Sequence, residues 1–408
     1  MRRTFVGLLI LLVLCASAPL LWSAPAHARP NWTSRLDRII AGHKIGVALH
    51  DDGRVLYGHD AKRLRVPASN EKLLLSMALF EAIGPQETLD TRLFSTATPT
   101  FGILSGDLWL ASEGDPTLGA DGERSRSLPF AATDVRAFVD LVRDAGITEI
   151  TGRVYADVSY FERDWFAPGW KANFPHRYIP LPSAVTFEGN VVNGHHIDNP
   201  EWRAARALTE ALEAAGVDVG QRPRAGILPA NTTLLGSLAS QRLAVLVRYM
   251  NRSSSNFFAE VLGKRLGAET YQPPGTIAKG ANAIEAFGAS VGVDLTAHDS
   301  SGLSYKNRVS ARGIVRMLTH VELTDPWYPV LRRGLPKGGQ GTLEDRLHGI
   351  PLRAKTGSLA GISALSGWLR LSHTGEWAEF SILSRGLSYQ TAKGLEDRIV
   401  RLMHAAAR

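Results

Sequence analysis

The stretch Val66-Pro-Ala-Ser-Asn-Glu-Lys-Leu-Leu-Leu-Ser76 decides how the rest of the chain is read. From Asn70 to Ile83 the residues are apolar on every helical face, so this helix is expected to be buried all round. Gly84 and Pro85 end it. A buried helix gains nothing from a lysine in its first turn, yet Lys72 is there, three residues after Ser69. Residues at i and i+3 share a helix face. A desolvated lysine loses preference for its charged form and can take a proton from a serine hydroxyl, which is a weak nucleophile until a base does so. The Ser69 N–H, at a helix N-terminus, favours nearby negative charge.

Two further pieces carry similar chemistry. Ser254-Ser255-Asn256 lies at a turn between two helical patterns, where a hydroxyl and an amide can face one cleft. Lys355-Thr356-Gly357, followed by Ser358, lies on an expected strand. The small Gly357 there would let a substrate backbone pair alongside, with Lys355 and Thr356 placed for a carboxylate. The order S-x-x-K, S-x-N, K-T-G resembles the signature set of penicillin-binding proteins and class A β-lactamases. Ser69 and Ser254 are 185 positions apart, and Ser254 and Lys355 are 101 apart. The first gap leaves room for an inserted domain, which a β-lactamase lacks.

With that insertion the chain resembles the low-molecular-mass class C penicillin-binding proteins, the D-alanyl-D-alanine carboxypeptidase/endopeptidase family. The stretches GDPTL (114–118), DVSYF (157–161), SSGLSYKNRVSA (300–311), GTLEDRL (341–347) and RAKTGSLAGISALSGW (353–368) carry the same resemblance over nearly the whole chain. It implies that Ser69 attacks a peptidoglycan stem peptide and that Lys72 is its base. The Ser69 and Ser358 amides would form the oxyanion hole. Ser254 would relay a proton to the leaving amine beside Lys355, Asn256 would hold the substrate amide, and Thr356 and Lys355 would bind the terminal carboxylate. β-Lactam antibiotics would acylate Ser69. Where many relatives have an arginine after G-L-S, this chain has Tyr305 with Lys306 beside it, and Asp157 corresponds to an acid that holds a substrate side-chain amine.

The expected architecture is α+β. A penicillin-binding/β-lactamase-like transpeptidase domain, an antiparallel sheet packed with helices, spans 29–88 and 236–408, and a strand-rich second domain, 89–235, is inserted in it. A helical pattern is read as resuming at 237. Residues 1–28 read as an export signal: Arg2 and Arg3, an apolar run broken by Pro19, then Ala26-His-Ala28 before the cut. The alternative is an uncleaved anchor, the apolar run being long for a signal. An envelope location outside the cytoplasm follows, with no membrane span after cleavage. The single cysteine, Cys15, falls inside the signal, so neither disulfide nor thiol chemistry is expected. Net charge is +7 and the basic residues are scattered, which argues against nucleic acid. No cofactor or metal is called for. The paired histidines of GHHIDN (194–199) and the glycines of KGGQGT (337–342) read as surface turns. The rivals to a carboxypeptidase are a β-lactamase and a catalytically silent wall-binding module.

Overall fold

The hairpin Lys44–Asp51 and Arg54–His59 forms because alternating apolar residues flank Asp-Asp-Gly, whose Gly53 takes a positive φ of 74°. The structure is a computed structural model and describes residues 31–406; the export signal lies outside the described residues. The hairpin pairs antiparallel with the last strand of the chain, so one sheet joins both ends of the sequence. Its strands run in the order Leu352–Leu359, Ile362–Arg370, Trp377–Arg385, Lys44–Asp51, Arg54–His59. Every neighbour is antiparallel.

Both faces of this sheet are buried, as the nearly unbroken apolar strands require. Val47, Leu49, Leu365, Phe380 and Ile382 pack under the helices Asn31–Ile40 and Tyr389–Ala406. Ala48, Ala364, Trp368 and Leu383 join the opposite core, with helices Glu71–Ala82, Asn256–Tyr271 and Ala311–Thr324. In Glu71–Ala82 every residue from Glu71 to Phe80 is buried. The sheet carries Leu352–Leu359 at its edge, and that edge faces the turn holding Ser69.

Between these two ends of the sheet, the chain builds a second one of five strands. Its order is Arg224–Gly226, Val154–Asp157, Leu108–Ser112, Asp90–Ser95, Thr233–Ala239. It has its own apolar core, from Leu93 to Val217, under helices Phe138–Asp144 and Pro200–Ala214. One expectation is corrected here. Residues 237–239 do not begin a helix; they finish the strand Thr233–Ala239, and helix resumes at Leu243. A register shift between Leu234 and Gly236 breaks the strand's alternation, which hides its period in the sequence.

Among the described residues no helix is long and apolar enough to cross a membrane. Nor do they contain a group of three or more His, Cys, Asp or Glu placed to hold a metal ion.

Candidate active site

Ser69 stands in a tight turn, Ala68–Asn70, that leads straight into the buried helix. The turn is strained: Ala68 has a φ of 49°, unusual for a residue with a Cβ. Two contacts hold it. The Asn70 amide donates to Ser366 Oγ at 2.7 Å, and Ser366 donates to Ser381 Oγ at 2.8 Å, pinning the turn to the sheet. From the other side Gly302 packs so closely on the Ala68 carbonyl that no Cβ fits.

The three motifs meet. Lys72 Nζ is 3.2 Å from Ser69 Oγ, 2.8 Å from Asn256 Oδ1 and 2.5 Å from the Ser301 carbonyl oxygen. Two of these three neighbours only accept hydrogen bonds, and the third is a hydroxyl. A neutral amine has two N–H donors and one lone pair. An ammonium, with three N–H donors, fits all three neighbours, and a neutral Lys72 can keep Asn256 and Ser301 while its lone pair faces the Ser69 hydroxyl. Lys72 is wholly buried, and burial brings its pKa down to about 8 against the opposing pull of Asp299, Glu260 and Glu71. Lys355 Nζ donates to Ser254 Oγ at 2.9 Å and to the Thr356 carbonyl at 2.8 Å. It too is wholly buried, and its pKa is pushed well below the usual range by burial first, then by the Lys72 and Lys393 charges.

Ser254 caps the helix Leu243–Ser253 with a left-handed backbone, φ 55°, and Ser255 then caps the next helix by accepting from the Phe258 N–H. This helix-to-helix corner aims the Ser254 hydroxyl at Lys355 and the Asn256 side chain at Lys72. The Asn256 Nδ2 donates to the Tyr178 carbonyl at 3.3 Å.

Ser69, Ser254, Thr356, Gly357 and Ser358 line a cleft of about 330 Å³ together with Thr342, Arg346, Tyr389 and Lys393. Residues 337–342 are a surface turn as read, and Thr342 at its end also reaches the cleft, its hydroxyl accepting from Thr356 Oγ1 at 2.8 Å. The strand's glycine has a reason besides the expected one. A Cβ on Gly357 would come 2.9 Å from the Pro67 oxygen and 3.1 Å from the Ser69 nitrogen, so Gly357 lets the strand lie against the nucleophile's own turn.

Two expected side-chain recognition residues fare differently. Asp157 is buried in the second sheet, and its oxygens accept from the Ser159 N–H, the Ser159 hydroxyl and the Leu228 N–H at 2.9–3.2 Å. No hydrogen bond links it to the motif residues; its contacts tie a loop of the second sheet. Tyr305 is half-buried beside Leu359, Trp170 and Ile277, with Lys171 Nζ 5.5 Å from its ring centroid. That cluster adjoins the end of the Ser358 strand. Trp170 packs inside it and donates to Asp299 Oδ2 at 2.6 Å, as a core residue does.

The family model of the D-Ala-D-Ala carboxypeptidase 3 (S13) family matches residues 34–195 and 193–406. The chain belongs to that family. It is a serine-type D-alanyl-D-alanine carboxypeptidase. A D-alanyl-D-alanine carboxypeptidase of Actinomadura sp. (strain R39) is 27% identical over 91% of this chain and 83% of its own length. Penicillin binding protein 4 from Haemophilus influenzae shares the fold, with a TM-score of 0.76 over 90% of this chain and 99% of that one, at 20% identity. A peptidoglycan endopeptidase from Bdellovibrio bacteriovorus also shares it, with a TM-score of 0.53 at 16% identity over 90% of this chain and 93% of that one.

Proposed function

We propose that this carboxypeptidase removes the terminal D-alanine of peptidoglycan stem peptides through an acyl-enzyme on Ser69. The meeting of Ser69 Oγ, Asn256 Oδ1 and the Ser301 carbonyl around one buried amine carries the reading. Ser69 Oγ attacks the carbonyl carbon of the penultimate D-alanine while Lys72 Nζ takes its proton. The oxyanion forms against the Ser69 and Ser358 amides, each donor contributing about 3–4 kcal/mol. The C–N bond then breaks. The leaving amine takes a proton from Ser254 Oγ, which Lys355 Nζ replaces. The proton that Lys72 took from Ser69 passes on to Lys355, so that both lysines end as they began and Lys72 can take a proton from the attacking water. Lys355 and Thr356 hold the terminal carboxylate of the departing D-alanine, and water hydrolyses the ester. Asn256 exchanges its long contact with Tyr178 for the substrate amide.

We further propose that residues 29–88 and 236–408 form the catalytic domain around an inserted domain, that the enzyme works in the cell envelope outside the cytoplasm, and that it also cuts cross-links. Two features support the last point. The edge strand Leu352–Leu359 offers an unpaired side to an extended peptide. And Asn256, hydrogen-bonded to Lys72, borders a separate cavity of about 540 Å³ lined by Tyr178, Arg124 and Val192, room for the acyl-side peptide. β-Lactams, as dipeptide mimics, acylate Ser69 and leave slowly.

The test is labelling with a fluorescent penicillin alongside D-alanine release from a defined muropeptide. The wild-type chain takes up one label and holds it for minutes. Ser69→Ala takes up none and releases no D-alanine. Label shed within seconds would mark a β-lactamase, and a folded wild-type chain that never labels would mark a silent module.

Acylation needs neutral Lys72, so its rate should rise with pH through a midpoint near 8. Rates of penicillin acylation across pH check this. A flat profile through neutrality would remove Lys72 as the base.

A further inference from the structure

The helix that begins with Asn256 presents a second group toward the base. Glu260 is four residues on, on the same face. It is buried, and its Oε1 accepts from the Ser300 N–H at 3.1 Å and the Ser301 N–H at 2.7 Å. The carbonyl of that same Ser301 is the atom 2.5 Å from Lys72 Nζ. One helix thus grips the base twice, directly through Asn256 and indirectly through Glu260 and the Ser301 peptide.

The other Glu260 oxygen, Oε2, is buried with no hydrogen-bond partner. Such a group is costly to keep. Holding the loop does not require it, because Asp299 already does so: it accepts from the Gly302 and Ser304 N–H groups, Asn307 Nδ2 and Trp170 Nε1. A glutamine would serve the two amides as well. The carboxyl's excess over glutamine is its ability to carry charge beside Lys72.

We propose that Glu260 is a positioning residue for the base: through the Ser300 and Ser301 amides it fixes the Ser301 carbonyl on Lys72, and its charge sets the pH at which Lys72 can accept the Ser69 proton. The proposal rests on the reading of Lys72 as that base. The charged groups around the pair come from every neighbouring element. Glu71 is on the helix of Lys72, Asp299 on the loop, and Lys355 on the edge strand. Lys264, one turn beyond Glu260, is ion-paired to Asp164, and Glu285 faces Glu71 from the helix Ile277–Ser290. Burial and then the Asp299 charge raise the Glu260 pKa to about 8, where Lys72 also titrates. The Glu260 charge acts on Lys72 by raising its pKa. As Glu260 ionises, its negative charge favours ammonium on Lys72 and delays the base. Without that carboxylate, Lys72 gives up its proton earlier.

The experiment measures the rate of penicillin acylation from about pH 6 to about pH 10 for the wild-type chain, Glu260→Gln and Glu260→Ala. Label taken up at completion counts the folded fraction of each. In Glu260→Gln the amide oxygen still accepts from Ser300 and Ser301, and the midpoint should move to lower pH by about one unit. In Glu260→Ala the Ser301 carbonyl loses its anchor, and the limiting rate at high pH should fall about a hundredfold. Glutamine should restore most of that loss. A Glu260→Gln midpoint equal to or above the wild-type value overturns the proposal, as does a Glu260→Ala limiting rate equal to wild type. A wild-type chain that takes no label at all would instead overturn the acyl-enzyme reading beneath it.

Discussion

Lys72→Ala should lower the rate of penicillin acylation by about four orders of magnitude while Ser69 stays in place. The site leaves no substitute for the base. Lys355, the other lysine of the three motifs, is engaged by Ser254 Oγ and the Thr356 carbonyl. Lys393, also buried at the cleft, is engaged by the Gly357 carbonyl, Ser363 Oγ and Glu396, and no hydrogen bond links either lysine to Ser69. A water in the space left by the side chain could bridge Asn256 Oδ1 and the Ser301 carbonyl, but it is a weak base beside three buried acids. The effect on folding pulls two ways. Removing Lys72 strands two acceptors, each costing about 1–3 kcal/mol. It also removes a buried cation while leaving Glu71, Glu260 and Asp299 without it. Lys72→Arg separates charge from basicity: the guanidinium keeps the cation but does not give up its proton near neutral pH. Both variants should label at the same low rate, measured by stopped labelling against time. If Lys72→Arg acylates at near wild-type speed, proton transfer to this residue is not part of the reaction.

The three motifs were legible because each is short and its geometry is local. Ser69 and Lys72 meet because a tight turn runs into a helix, and Ser254 and Asn256 diverge because one residue in the left-handed region separates two helices. The sheet was legible for the same reason, its strands being long apolar runs divided by turn residues. The strand Thr233–Ala239 was not, because it is mostly exposed and its bulge at Gly236 spoils the period-two pattern.

What the sequence concealed were contacts between distant segments. Nothing near Thr342 announces that it meets Thr356, because that contact depends on how the Gly-rich loop folds back on the edge strand. The stretches that carry the family resemblance also mix two kinds of residue. Asp115 of GDPTL is wholly buried and accepts from Thr117 and Thr133, well inside the second unit, and Asp157 of DVSYF serves its own loop. The SSGLS stretch differs from both. It supplies the Ser301 carbonyl to Lys72 and the Gly302 surface to Ala68, so its backbone carries the function and its side chains do not. A backbone role of this kind leaves only a glycine as its mark in a sequence.

That glycine gives the second large effect. Gly302 has a φ of 82°, and an added Cβ would overlap the Ala68 carbonyl and reach 3.0 Å from Glu71 Cβ. Both obstacles are fixed, one as backbone and the other as the first atom of a buried side chain, so relief has to come from movement of the Ala68–Ser69 turn. Gly302→Ala should therefore cost about 1–3 kcal/mol for the strained backbone, with the overlap in addition. It should also cut acylation about a hundredfold in the fraction that folds, since a shift of about 1 Å at a nucleophile has that effect. Gly216 supplies the comparison: its φ is 81° and a Cβ there would meet nothing within 4 Å. Gly216→Ala pays the backbone strain alone, so its unfolding temperature should fall slightly and its acylation rate should hold. Thermal unfolding and penicillin labelling of the two variants separate the effects. Equal losses of acylation in both would mean that the Gly302 contact does not hold the nucleophile's turn. A loss confined to Gly302→Ala ties the strain at Ala68 to the loop that also supports Lys72, so that one segment sets the positions of nucleophile and base together.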